Sequence, residues 1–128
     1  MKTKSAKAKG RSLQNDVRDW LRRKIWTDVL EDDDIKSQTM GMTGLDIVLS
    51  PAAKKVIPFG IECKNQKVPK IWQAYRQAKT NVIGTNLWPI AIVQGPKKEK
   101  MVTMPLELFD KLIEQALVVG ELPHNETK

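Results

Sequence analysis

Apolar positions in this chain repeat first at helical and then at strand spacing. Leu13, Val17, Trp20, Leu21, Ile25 and Val29 recur every three or four residues, as one buried helix face requires. Ser12 stands before them as a candidate N-cap, so the pattern predicts a helix over residues 12–30. A short first strand is expected over 35–39, and apolar runs of strand length follow at 45–50 and 56–64. Pro51 closes the second run, Lys54 and Lys55 fall in the turn after it, and Pro58 marks an irregular start to the third. Pro69 fits the first turn of a helix over 70–82, with Ile71, Ala74, Tyr75, Ala78 and Val82 on its apolar face. Trp72 and Tyr75 are assigned to the core. Residues 89–93 are apolar throughout, as in a central strand. Residues 95–100 read as a hairpin turn into a fifth strand over 101–104. Pro105 starts a last helix with Leu108, Phe109, Leu112, Ile113 and Ala116 on one face. The order αβββαββα predicts an α/β fold: a central mixed sheet of about five strands flanked by helices.

A chain of 128 residues suits one domain, placed at 11–118. Residues 1–10 are rich in lysine and poor in apolar side chains, and read as a disordered basic tail. Residues 119–128 read as a flexible polar tail. No run is long and apolar enough for a membrane span, and the first residues lack a signal peptide's apolar core. The single cysteine fits a reducing compartment, hence a cytoplasmic location. Cys63 falls on an inward strand face, which favours packing over nucleophilic chemistry. No cysteine or histidine cluster suits zinc, and His124 lies in the polar tail. The acidic run Glu31, Asp32, Asp33 and Asp34 lacks the alternating ligands and glycine of an EF-hand, and reads as a solvated loop. The formal charge of +7 points to a polyanionic partner. Lys2, Lys4, Lys7, Lys9 and Arg11 supply five of those charges. Arg18, Arg22 and Arg23 lie off the apolar stripe, either facing phosphate or forming a solvated basic face.

The stretch Gly44-Leu45-Asp46-Ile47-Val48-Leu49 and the run Ile61-Glu62-Cys63-Lys64 carry the candidate chemistry. Strand side chains alternate between faces, so Glu62 and Lys64 share one face while Ile61 and Cys63 share the other. If the two runs pair antiparallel, Asp46 meets Glu62 at one end of the ladder. Two carboxylates and an ammonium at one point are what a divalent-metal hydrolytic site needs. Magnesium, for which manganese can substitute, suits such hard oxygen ligands. The glycine-containing loop 40–44 lies beside this point, and Ser37, Gln38 and Thr43 are placed to reach a substrate phosphate from it. Gln73 and Arg76 lie on the surface of the following helix, which is placed to line the site.

These pieces, in this element order, resemble the PD-(D/E)XK nuclease superfamily, and within it the small phage and archaeal Holliday-junction resolvases. The matching segments are Lys9-Gly10 before a helix, Gly44-Leu45-Asp46-Ile47, Ile61-Glu62-Cys63-Lys64, the Ile71-Trp72-Gln73-Ala74 helix and the strand over 89–93. The resemblance implies a restriction-endonuclease-like fold and metal-dependent hydrolysis of DNA phosphodiesters, on branched or duplex DNA, by a homodimer. A phage-encoded member would act in the host cytoplasm. It also implies roles: Asp46 and Glu62 as metal-binding acids, the Cys63 backbone carbonyl as a further ligand, and Lys64 as the catalytic lysine. Gln14 stands where family members often carry a glutamate; its amide oxygen can coordinate or orient water but adds no charge. Asp16 and Asp19 are the acids nearest to it. Lys9, Arg11, Arg18, Arg22, Ser37, Thr43, Gln73 and Arg76 are the expected DNA-contacting residues. The competing expectations are a general nicking or restriction-like endonuclease and a non-catalytic nucleic-acid-binding module on the same scaffold.

Overall fold

The computed structural model describes residues 4–25, 28–96 and 99–127. Helix α1 runs over Lys4–Lys24. Leu13, Val17 and Leu21 on the predicted stripe are buried, whereas Trp20 on the same stripe is half open. The helix begins well before Ser12, so residues 4–10 are helical rather than a disordered tail, and Ser12 lies inside the helix. Lysine and alanine are both strong helix formers, so a polar, lysine-rich stretch can extend a helix that is anchored further along. The helix also stops short of residue 30: Val29 is 76% exposed and packs no stripe.

A 3-10 turn, Asp32–Asp34, occupies the acidic run that the sequence suggests is a solvated loop. Asp34 accepts hydrogen bonds from the Ser50 hydroxyl at 2.6 Å and the Glu31 amide at 2.7 Å. Those two donors hold its carboxyl below the ordinary carboxylate range. The turn leads into β1, Ile35–Ser37, which pairs antiparallel with β2, Ile47–Leu49, with Ile35 opposite Leu49. A short helix α2, Pro51–Val56, follows where a plain turn is expected. The Ser50 side chain caps it by accepting from the Ala53 amide, and Pro51 sits in its first turn.

Strand β3, Phe59–Asn65, runs parallel to β4, Trp88–Gln94, and β5, Lys100–Thr103, returns antiparallel to β4. Helix α3, Ile71–Asn81, makes the crossover that a parallel β3–β4 pair demands. The predicted central strand is thus central, with order β3-β4-β5. The last helix, α4, covers Leu106–Val119.

The architecture of the described residues is α/β, with four α-helices and a mixed set of five strands. The strands form a two-stranded and a three-stranded sheet, not one sheet of five. The apolar runs bearing Asp46 and Glu62 do not pair with each other: β2 takes β1 as its partner and β3 takes β4. One apolar core joins α1 to both sheets through Leu13, Val17, Ile35, Ile47, Ile61 and Ile90. A small second cluster, Ala74, Ala91 and Val93, seats α3 on β4. Two assignments to the core fail. Trp72 is 73% exposed, and on α4 only Leu108 is buried while Phe109 and Leu112 stay open. Periodicity identifies residues that share a face, but burial also needs an element to cover that face. Among the described residues, no helix is long and apolar enough to cross a membrane.

Candidate active site

Strand β3 bonds to β4 along one edge only, so its other edge faces the β1–β2 pair. Asp46, just before β2, fills that edge: its Oδ2 accepts the Cys63 backbone amide at 2.7 Å. The expected meeting of Asp46 with Glu62 therefore occurs, through a side chain docked on a free strand edge and not through a ladder. An extended residue turns its N–H and C=O to the same side. The Cys63 carbonyl consequently also points to the Asp46 side.

Helix α1 supplies the third wall. Gln14, buried on its inner face, donates from Nε2 to Asp46 Oδ1 at 2.8 Å. The other end of that amide, Oε1, is buried without a hydrogen-bond partner among the described residues. A buried unpaired amide oxygen costs free energy on the order of 1–3 kcal/mol, so its place beside two acids calls for a cationic or donor partner.

Glu62 is 1% exposed. Its Oε1 accepts from the Asn81 side-chain amide at 2.8 Å, at the C-terminal end of α3. Burial raises its pKa to about 8; the Asp46 charge and a hydrogen bond with the Asp46 carboxyl push the same way. Asn81 and the Lys64 ammonium oppose that rise, which places Lys64 within electrostatic reach of Glu62. Ionising Glu62 in this buried place beside Asp46 is costly, so the Glu62 carboxyl keeps its proton to higher pH than an ordinary carboxyl. Burial and the same two acids push the Cys63 thiol well above its ordinary value, so it stays protonated and inert, as its place in the core suggests.

Asp46 thus holds the Gln14 amide and the Cys63 N–H, Glu62 lies against Asp46, and Lys64 is within electrostatic reach of Glu62. No group of three or more His, Cys, Asp or Glu side chains capable of holding a metal occurs among the described residues. The donor set at this point is instead two carboxylates, one amide oxygen and the Cys63 carbonyl, all hard oxygens suited to magnesium. Asp16 and Asp19 do not replace Gln14. Asp16 faces Lys100 at 3.8 Å, and Asp19 accepts from Arg18 at 2.8 Å.

Several residues expected on DNA have structural work. Arg22 donates from Nε to the Ile35 carbonyl at 3.0 Å and from Nη2 to the Asp32 carbonyl at 2.9 Å, tying α1 to the turn before β1. Arg18 is half-buried and bonded to Asp19 and Asn15. Ser37 donates its hydroxyl to Asn15 at 2.8 Å. Thr43 is exposed on the loop that the Gln38 amide closes onto the Asp46 carbonyl at 2.8 Å. Lys9 and Arg11 are exposed on α1. Lys9 borders a groove of about 700 Å³ with Asn65, Lys67 and Lys100, at the C-terminal end of β3. Gln73 and Arg76 lie on an exposed stretch of α3, not against the acids. Two contributors escape a reading of the sequence alone. Asn81 looks like an ordinary residue at a helix end. Gly60 is needed because an added Cβ would lie 2.3 Å from Val82 Cγ1 and 3.1 Å from Leu45 Cδ1.

Comparison with known proteins finds no matching protein-family model and no significant match among curated proteins or solved structures.

Proposed function

We propose that this chain is a metal-dependent DNA endonuclease of PD-(D/E)XK type that hydrolyses phosphodiester bonds in branched DNA, as Holliday-junction resolvases do. One observation carries the reading: the buried Glu62 and the half-buried Asp46 lie together at the free edge of a strand, where Asp46 holds the Gln14 amide whose oxygen has no partner among the described residues. Magnesium or manganese at this point would polarise the scissile phosphate and acidify an attacking water. Asp46, Glu62, Gln14 Oε1 and the Cys63 carbonyl are the groups to hold it.

The chain's own residues do the rest. Asn81 and Gln14 each fix one acid by a single hydrogen bond, so the carboxylates need no reorganisation when substrate arrives. Lys64, two residues beyond Glu62 on the same strand face, orients the attacking water or stabilises the charge of the pentavalent phosphorus. The product is a nicked strand ending in a phosphate and a hydroxyl. Lys9, Lys67 and Lys100 around the adjoining groove offer phosphate contacts that position the backbone without reading sequence. A restriction-endonuclease-like core fits the β3-α3-β4 unit that carries Glu62 and Lys64. A two-fold homodimer would pair nicks across a symmetric junction. The setting is the cytoplasm, that of the host for a phage protein.

The test is nicking of supercoiled plasmid and of four-way, flap and linear DNA in magnesium, with the wild type and Glu62→Ala. The reading expects cleavage that needs the metal, is lost in the variant and favours the four-way substrate. Equal cleavage of all substrates would mark a general nicking enzyme. Binding without cleavage in magnesium and manganese would leave a nucleic-acid-binding module and end the enzymatic proposal.

A further inference from the structure

The chain's positive charge is not confined to its basic N-terminal residues. Between Glu62 and Glu99 the sequence contains no Asp or Glu but holds Lys64, Lys67, Lys70, Arg76, Lys79, Lys97 and Lys98. This is a second acid-free cationic stretch, beside the one that precedes Asp16. Arg18 and Arg22 on α1 are engaged with Asp19 and with backbone carbonyls. The described part of this stretch includes α3, a helix with cations and no acid of its own.

On α3, Trp72, Arg76 and Lys79 stand at i, i+4 and i+7, one stripe of the helix. All three are exposed, the indole to 73%. Ala74 and Ala78 face the sheet, so this stripe points outward. Trp72 meets Tyr75 in a perpendicular ring contact, with centroids 6.3 Å apart and planes at 82°. That contact steadies the indole while leaving at least one of its faces uncovered. A shallow groove of about 330 Å³ opens between Trp72, Gln73, Arg76 and Lys70. A large aromatic held open to water among cations, with no acid on the same helix, matches a nucleic acid that offers both phosphates and a free base face.

We infer that the outer face of α3 is a stacking platform for an unpaired DNA base, with Trp72 on the base and Arg76 and Lys79 on the adjoining phosphates. A base inside a duplex has no free face, so the platform selects DNA with unpaired bases, at a branch point or in a single strand. The inference rests on the endonuclease reading for DNA as substrate and adds what kind of DNA is preferred. Trp72 lies on the opposite side of α3 from Asn81 and about 14 Å along its axis. It is a specificity-determining residue and takes no part in hydrolysis.

The test is fluorescence-anisotropy binding of a single-stranded oligothymidylate and a duplex of equal length in EDTA, where no cleavage occurs. Trp72→Ala should weaken single-strand binding roughly 5- to 100-fold and change duplex binding by less than about twofold. Trp72→Phe should restore most of the loss, because it keeps an aromatic face. Arg76→Ala with Lys79→Ala should weaken both and flatten the salt dependence on the single strand by about 1.4 in log–log slope. Wild-type single-strand affinity in Trp72→Ala, or an equal loss on both DNAs, overturns the inference. These measurements need neither metal nor turnover. An inactive protein with a Trp72-dependent single-strand preference refutes the nuclease reading alone, and an active one without that preference refutes the platform alone.

Discussion

Glu62→Gln separates the cost of the acid pair from its use. In the metal-free protein the Glu62 carboxyl is raised from 4.5 to about 8, by burial first and by Asp46 second. The folded state therefore binds its proton more tightly than the unfolded chain does. The stability this proton confers is fully present below pH 4.5 and is lost as pH rises towards about 8. Each pH unit across that window removes about 1.4 kcal/mol. At neutral pH the loss is on the order of 3 kcal/mol, or roughly 10 °C in Tm for a domain of this size. Glutamine keeps an acceptor for Asn81 and offers Asp46 a donor, but it cannot ionise. In EDTA near pH 8, Glu62→Gln should melt above the wild type by several degrees; near pH 4.5 the two should converge. Millimolar magnesium should raise the wild-type Tm at pH 8 and leave the variant unmoved, since only the ionised pair gains from a cation. Thermal melts by circular dichroism at both pH values, with and without magnesium, read all of this. A variant less stable than the wild type at pH 8 in EDTA, with an unchanged pH slope, would refute the claim that the two acids strain each other.

Two further substitutions probe the frame around the acids. Gly60→Ala forces a Cβ to within 2.3 Å of Val82, the neighbour of Asn81; overpacking of this kind should cost about 1–3 kcal/mol and weaken manganese binding, measured by melting and calorimetric titration. Arg22→Ala removes two charge-assisted bonds to the carbonyls of Ile35 and Asp32; it should cost about 1.5–3 kcal/mol of stability while leaving the salt dependence of DNA binding unchanged, and a flatter salt slope would return Arg22 to the DNA surface.

Which charged side chains share a face was more legible than the fold that presents them. Glu62 and Lys64 share a face because strand side chains alternate, a local rule that holds whichever strand becomes the neighbour. The partner of each strand is a non-local choice, and the split into two sheets has no local signal. Helix α2 did have one: Ser50-Pro51 is a cap followed by a first-turn proline, yet the short, lysine-bearing run reads equally as a turn. Trp72 and the α4 face show the limit of periodicity, since each stripe is real but little packs on it. Arg22 shows the limit of charge counting, because two carbonyls that occupy its guanidinium come from a turn ten or more residues away. The orphaned oxygen of Gln14 was not readable at all; it exists only once α1 lies against β2 and β3.

The two acids are tied to the fold in different ways, and this explains how a repelling pair can be kept. Asp46 completes the free edge of β3 by accepting the Cys63 amide, so removing its side chain would leave a buried N–H without a partner. Glu62 is held from α3 through Asn81, and α3 is fixed in turn by Ala74 and Ala78 against the sheet. One acid is thus clamped by the seam between the sheets and the other by the crossover helix. Neither can swing away from the other without breaking a bond that the fold needs. A flexible surface pair would relax by separating. This pair stays together at the seam between the sheets, where Glu62 keeps its proton because ionising it in a buried place beside Asp46 is costly.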